Sequence, residues 1–124
     1  MRVYIAGKLG SHSPNVVPLP IDYIYNVNAM VKVNNELTTR GYATHCPALD
    51  ILSALIGGKQ TRLSDEEIKA LGMEWLEVSD AVVLCPKWKE SPGTLAEIKR
   101  ADELGIPVFN SLRAFLDRDN GDSN

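Results

Sequence analysis

Cysteine and histidine are scarce in this 124-residue chain: two of each, Cys46, Cys85, His12 and His45. Two thiols cannot staple a disulfide scaffold, and no Cys/His cluster has the spacing of a metal site. Neither a metal nor a cofactor is expected. Each thiol ends an expected strand just before a proline, and a reducing cytoplasm is the expected compartment. The two histidines read as ordinary polar or packing residues. Long hydrophobic runs are missing too, none approaching the roughly 18 residues of a membrane span. The opening run is broken by Gly7, too early for a secretion signal. Basic residues are not in excess, with 13 against 16 acidic ones and a net charge of −3. A basic surface for duplex nucleic acid is therefore not expected. No internal repeat is present.

What is there suits one domain with one core. A content of 44% hydrophobic and 23% charged residues is far from that of a disordered chain. Arg2 to Ala6 reads as a short buried strand and Lys8 to Asp22, with its prolines, as a loop. Tyr23, Val27, Met30, Val33 and Leu37 recur at helical spacing up to Gly41, which stops that helix. Tyr42 to Cys46 is a second strand, and Asp50 to Gly58 a weak helical turn. Ser64-Asp-Glu-Glu67 is a capping box opening a helix to about Ser79. Ala81 to Cys85 is a third strand, apolar throughout. Thr94 to Leu104 is a helix, Ile106 to Phe109 a strand, and Leu112 to Leu116 a last helical turn. The domain is expected over residues 1–116, with a polar tail over 117–124. Strands alternating with helices predict an α/β fold: a flavodoxin-like, doubly wound parallel sheet of four to five strands with helices on both faces. Such sheets bind ligands beyond the carboxyl ends of their strands. The loops after Ala6, Cys46 and Cys85 are the places to look.

Glu97 is the residue with two competing explanations. Thr94-x-x-Glu97 is formally a capping box, in which Glu97 would reach back to the N–H of Thr94. On a helical wheel with Leu95 at 0°, however, Glu97 falls at about 200°, inside the apolar arc of Ile98, Ala101 and Leu104. A carboxylate on a buried arc is costly unless something there uses it.

Several segments resemble the nucleoside 2-deoxyribosyltransferase family. They are Tyr4-Ile-Ala-Gly7, Gly41-Tyr-x-x-x-x-Pro47, and Asp80-Ala-Val-Val-Leu. The most specific is Ser91-x-Gly93-Thr94-x-x-Glu97-x-x-x-Ala101-x-x-x-Gly105-x-Pro107-Val108. That superfamily includes 2'-deoxynucleoside 5'-phosphate N-hydrolases and small uncharacterised bacterial and phage proteins, and the Trp88-Lys-Glu-Ser91-x-Gly93 loop looks most like the latter. The resemblance implies cleavage or transfer of an N-glycosidic bond by double displacement, with Glu97 as nucleophile and Tyr4 positioning it. For Tyr4 a plain packing role stays open.

By the same resemblance Gly7, Ser91 and Gly93 line the sugar end of the pocket, and Lys8 adds charge to a phosphate site or is simply solvated. Asn110 matches a region that lends a polar side chain to a neighbouring subunit, or is a strand-end turn residue. Relatives carry an aspartate where this chain has Gly72, so the leaving base would take its proton from Asp50, Glu74 or water, or not be protonated at all. Restoring that carboxylate with Gly72→Asp tests the loss: increased base release would show that the missing group limits the rate. Asp80 is expected at the far end of the sheet, outside the site. The implied partners are a small-molecule nucleoside or nucleotide and further copies of the chain, as a homodimer or larger, with no membrane. The alternative from another class is a catalytically weak nucleotide-binding sensor. A generic flavodoxin-like domain is the third reading, and Glu97 on the buried arc speaks against it.

Overall fold

Strand β1 (Arg2–Ala6) lies inside a four-stranded sheet, between β2 (Ala43–His45) and β3 (Ala81–Leu84), with β4 (Val108–Phe109) beyond β3. All three pairings are parallel. This computed structural model describes residues 1–9, 20–50 and 65–121. Helices α1 (Pro20–Thr39) and α4 (Leu112–Gly121) cover one face, and α2 (Asp65–Glu77) and α3 (Pro92–Leu104) the other. The fold is α/β, with the helix-flanked parallel sheet of flavodoxin-like proteins.

Strand alternation decides what each layer receives. Val3 and Ile5 point to α1 and α4, where Met30, Leu37 and Phe115 bury their side chains. Tyr4 and Ala6 point to α2 and α3, against Leu76 and Ala101. Each large side chain buried this way contributes about 1.5–3 kcal/mol. Register aligns His45, Tyr4, Val82 and Val108 as one row across the sheet. At the opposite, amino-terminal edge the N–H of Arg2 donates to Asp80 Oδ2 at 2.7 Å and that of Asp80 to the Arg2 carbonyl at 2.8 Å. Asp80 thus ties strand entrances together, away from the ligand edge.

Several boundaries differ from the sequence expectation. Helix α1 starts at Pro20, not Tyr23, since proline at a first helical position gives up no hydrogen bond. Helix α3 starts at Pro92, not Thr94, and its N-cap is Ser91, whose Oγ accepts from the N–H of Thr94 at 3.1 Å. The last helix runs to Gly121, well past Leu116; the Ser111 hydroxyl caps it by accepting from the N–H of Ala114 at 3.0 Å. Gly41 and Gly105, at φ +92° and +72°, take the left-handed conformation that ends α1 and α3. Residues 47–50 are helical; the rest of the helical turn expected to Gly58, the Ser64 cap and His12 lie outside the described residues.

Gly7 follows β1 where the sheet is tight. A Cβ added there would stand 2.7 Å from Cys85 Cβ, and the N–H of Cys85 donates to the Ala6 carbonyl at 2.8 Å. Gly7→Ala is expected to cost about 1–3 kcal/mol through overpacking. Urea unfolding checks this; an unchanged midpoint would show that the turn yields freely.

Candidate active site

The site is built where α2 and α3 meet the row His45–Tyr4–Val82. Tyr4 is buried, and its hydroxyl hydrogen-bonds the carboxylate of Glu97, which is carried by α3. The other end of the row matters as much. The His45 ring stacks on Tyr4, with centroids 5.4 Å apart and planes at 21°, and on Trp75 of α2 at 5.5 Å and 15°. Three rings thus form a column running out from the carboxylate, and its last member, Trp75, is 53% exposed.

Ser91 as the cap removes the structural explanation of Glu97. A capping box needs its acid at the third helical position. Counted from Pro92, that position is Thr94, and Glu97 lies a turn further in. Thr94 instead donates its hydroxyl to Ser91 Oγ at 2.9 Å. Glu97 Oε2 is buried and has no hydrogen-bond partner among the described residues. Burial pushes the Glu97 carboxyl up to about 7, the Tyr4 hydrogen bond working against that rise. Burial, then the charge of Glu97 and its hydrogen bond, push the Tyr4 phenol well above its ordinary value. The hydroxyl therefore stays protonated and donates.

His45 Nε2 stands 3.1 Å from Asp50 Oδ2 but lacks the alignment of a hydrogen bond. Burial lowers the His45 pKa, with Asp50 opposing, so the ring is neutral at pH 7. Burial also raises both thiols, Cys85 to about 12. Neither is a nucleophile at neutral pH.

Gly72 packs directly under the phenol. A Cβ there would lie 3.1 Å from Tyr4 Oη, so α2 approaches the sheet closely enough that Gly72 and Leu76 form its buried seam. Leu71 and Trp75, which a helical wheel puts on one apolar arc with Ile68 and Leu76, are instead 44% and 53% exposed. They flank a seam that is narrow because its central residue has no side chain.

The structure thus brings Tyr4, Glu97 and Gly72 into contact and sets His45 and Asp50 beside them. Ser91 is buried in its capping role, with Gly93 inside the first turn of α3. Gly7 faces the other side of the sheet, against Cys85 and Met30. Lys8 Nζ is held by Glu90 Oε1 at 3.1 Å. Asn110 is exposed beyond β4 and lines a separate cavity. Sequence reasoning missed His45 and Trp75. The place of His45 at the carboxyl end of a strand was the available signal for the first.

A model of the family described as a domain of unknown function, DUF4406, matches residues 1–110. The chain belongs to the DUF4406 family. No curated protein and no solved structure matches it. The match takes in every residue of the DUF4406 site described above and stops before α4. Among the described residues of this DUF4406 chain no three His, Cys, Asp or Glu side chains converge as a metal set, and no helix is long and apolar enough to cross a membrane.

Proposed function

We propose that the chain cleaves or transfers the N-glycosidic bond of a deoxynucleoside or nucleoside 5'-monophosphate, with Glu97 as nucleophile. The observation that carries this reading is the Glu97 carboxylate, held by Tyr4 and left with one buried, unpartnered oxygen. The sequence likeness to nucleoside 2-deoxyribosyltransferases supplies the substrate class.

In the proposed reaction Glu97 Oε2 attacks C1' while the C1'–N bond breaks and its electron pair leaves with the base. Negative charge on the carboxylate stabilises the oxocarbenium-like transition state. Tyr4 keeps the carboxylate oriented through its hydrogen bond. The departing base takes its proton from water on the side where Asp50 and His45 stand, and Trp75 offers it an exposed ring face. Water, or a second base, then attacks C1' of the glycosyl ester and frees Glu97. A nucleophile with a pKa of about 7 must be ionised to act, so base release rises with pH through that value. No cofactor enters, and the reading includes a cytoplasmic homo-oligomer.

The second reading is a nucleotide-binding sensor with little turnover, and Gly72 in place of a second carboxylate favours it. Incubating the protein with a panel of nucleosides and 5'-monophosphates, and measuring free base by chromatography, separates the two. Release from at least one substrate, growing from pH 6 to 8, is the expected result. Binding without any release would leave the sensor.

A further inference from the structure

A cavity of about 670 Å³ opens over the carboxyl ends of β3 and β4, and neither Tyr4, His45 nor Glu97 lines it. Its walls carry three cations, Lys87, Lys89 and Arg113, on a chain whose net charge is −3. Among its described lining residues the only carboxylate is Glu90, which Lys8 already holds at 3.1 Å. Among the described residues the cations have no comparable partners. Lys87 Nζ lies 5.1 Å from the centre of the Tyr25 ring and Lys89 Nζ 5.5 Å from that of Trp88. Arg113, 90% exposed, has Asp117 only at 3.7 Å, a spacing and exposure that bind weakly. Lys87 is also the one described non-glycine residue with positive φ, at 67°. Side chains seldom accept that conformation.

Between the cations the walls are carbon: Val33, Leu112 and the half-buried Trp88. The volume is that of a site for a small organic molecule. An apolar slot would take a flat ring, and unmatched cations at its mouth would take an anion. Arginine suits a phosphate in particular, because its planar fork donates two parallel hydrogen bonds. We propose that this cavity is a second binding site, for an aromatic organophosphate. The ring lies against Trp88, and the phosphate sits among Lys87, Lys89 and Arg113 with Asn110 beside it. The proposal is independent of the chemistry at Glu97.

The chain has two tryptophans, and they divide between the sites: Trp75 in the column beside Glu97, Trp88 in this cavity. Each can therefore report on one site. With 4-nitrophenyl phosphate as the probe, the Trp75→Phe variant is expected to show saturable quenching of Trp88. Adding Lys87→Ala and Arg113→Ala should weaken that binding at least tenfold, and neutral 4-nitrobenzyl alcohol should bind at least tenfold more weakly. Inorganic phosphate should compete. Should Trp75→Phe fail to fold, the two indole N–H signals of the unsubstituted chain give the same readout by NMR, the Trp88 signal moving and saturating with probe. Quenching or shifts at Trp88 that stay linear in probe concentration would overturn the proposal. So would an affinity indifferent to the two alanines, or saturation seen at Trp75 alone.

Discussion

Glu97→Gln is expected to reduce base release at least a thousandfold while making the folded chain more stable above pH 7. Glutamine keeps the shape of the side chain and removes the charge that attacks C1'. The stability effect follows from the carboxyl pKa, raised by burial from 4.5 to about 7 against the pull of Tyr4. Below pH 4.5 the group is protonated folded or unfolded, and it costs nothing extra. Between 4.5 and about 7 the folded chain holds the proton more tightly, so stability falls as pH rises. Above about 7 the cost is complete. At about 1.4 kcal/mol per pKa unit, and with solvent reaching part of the side chain, it comes to about 2 kcal/mol. His45, whose pKa is lowered chiefly by burial, acts in the opposite sense: it favours folding as pH rises through the range below 6.5. That slope remains in the variant, so the difference between the two proteins isolates Glu97. Urea unfolding at pH 5, 7 and 9 measures it. Equal stabilities at pH 9 would contradict the buried carboxylate, and undiminished base release would remove Glu97 as nucleophile.

Replacing Gly72 is expected to lower base release about tenfold, for aspartate as well as alanine. The sequence alone left the reverse open for aspartate, as a carboxylate restored. The Cβ common to both substitutions would stand 3.1 Å from Tyr4 Oη. Tyr4 has little freedom to yield, being buried, bonded to Glu97 and stacked on His45. Displacing the hydroxyl by a few tenths of an ångström weakens its bond to Glu97 and raises the carboxyl pKa further. Alanine in turn gains about 1 kcal/mol of helix propensity over glycine, so Gly72→Ala should keep its fold while its pH–rate midpoint moves upward. Aspartate adds a second negative charge near Glu97, which carries the midpoint higher still. Increased release at neutral pH from the Gly72→Asp variant would mean that Tyr4 moves aside without loss.

The layers were legible because β1 and β3 are apolar along their length and helices separate the strands. The parallel sheet followed from those two facts. Glu97 and Tyr4 were found by wheel position and family likeness, and the structure brings them into hydrogen-bonding contact. Helix starts were less legible. Ser64 and Thr94 each sit three residues before a glutamate, but Ser91-Pro92 offers a competing start to the second box, and proline at the first helical position decided it. The ring column was not legible, because it depends on register. Only the pairing of Tyr4 with His45 places two rings side by side, and only the missing side chain at Gly72 lets α2 bring Trp75 to them. No local pattern in the sequence states either.

The lengths of the outer strands bear on how copies of this chain can meet. Among the described residues the sheet ends in β2, three residues long, on one side and in β4, two residues long, on the other. An edge that short offers an incoming strand almost no backbone donors or acceptors, and Pro107 just before β4 has no N–H to offer. Extension of the sheet from one molecule to the next, the usual route to fibrous aggregates, has nothing to start from at these two edges. Self-association would have to use side chains instead. Leu71 and Trp75 on α2, with Val78 just past its end, are each at least 44% exposed and lie at suitable spacing for such a contact.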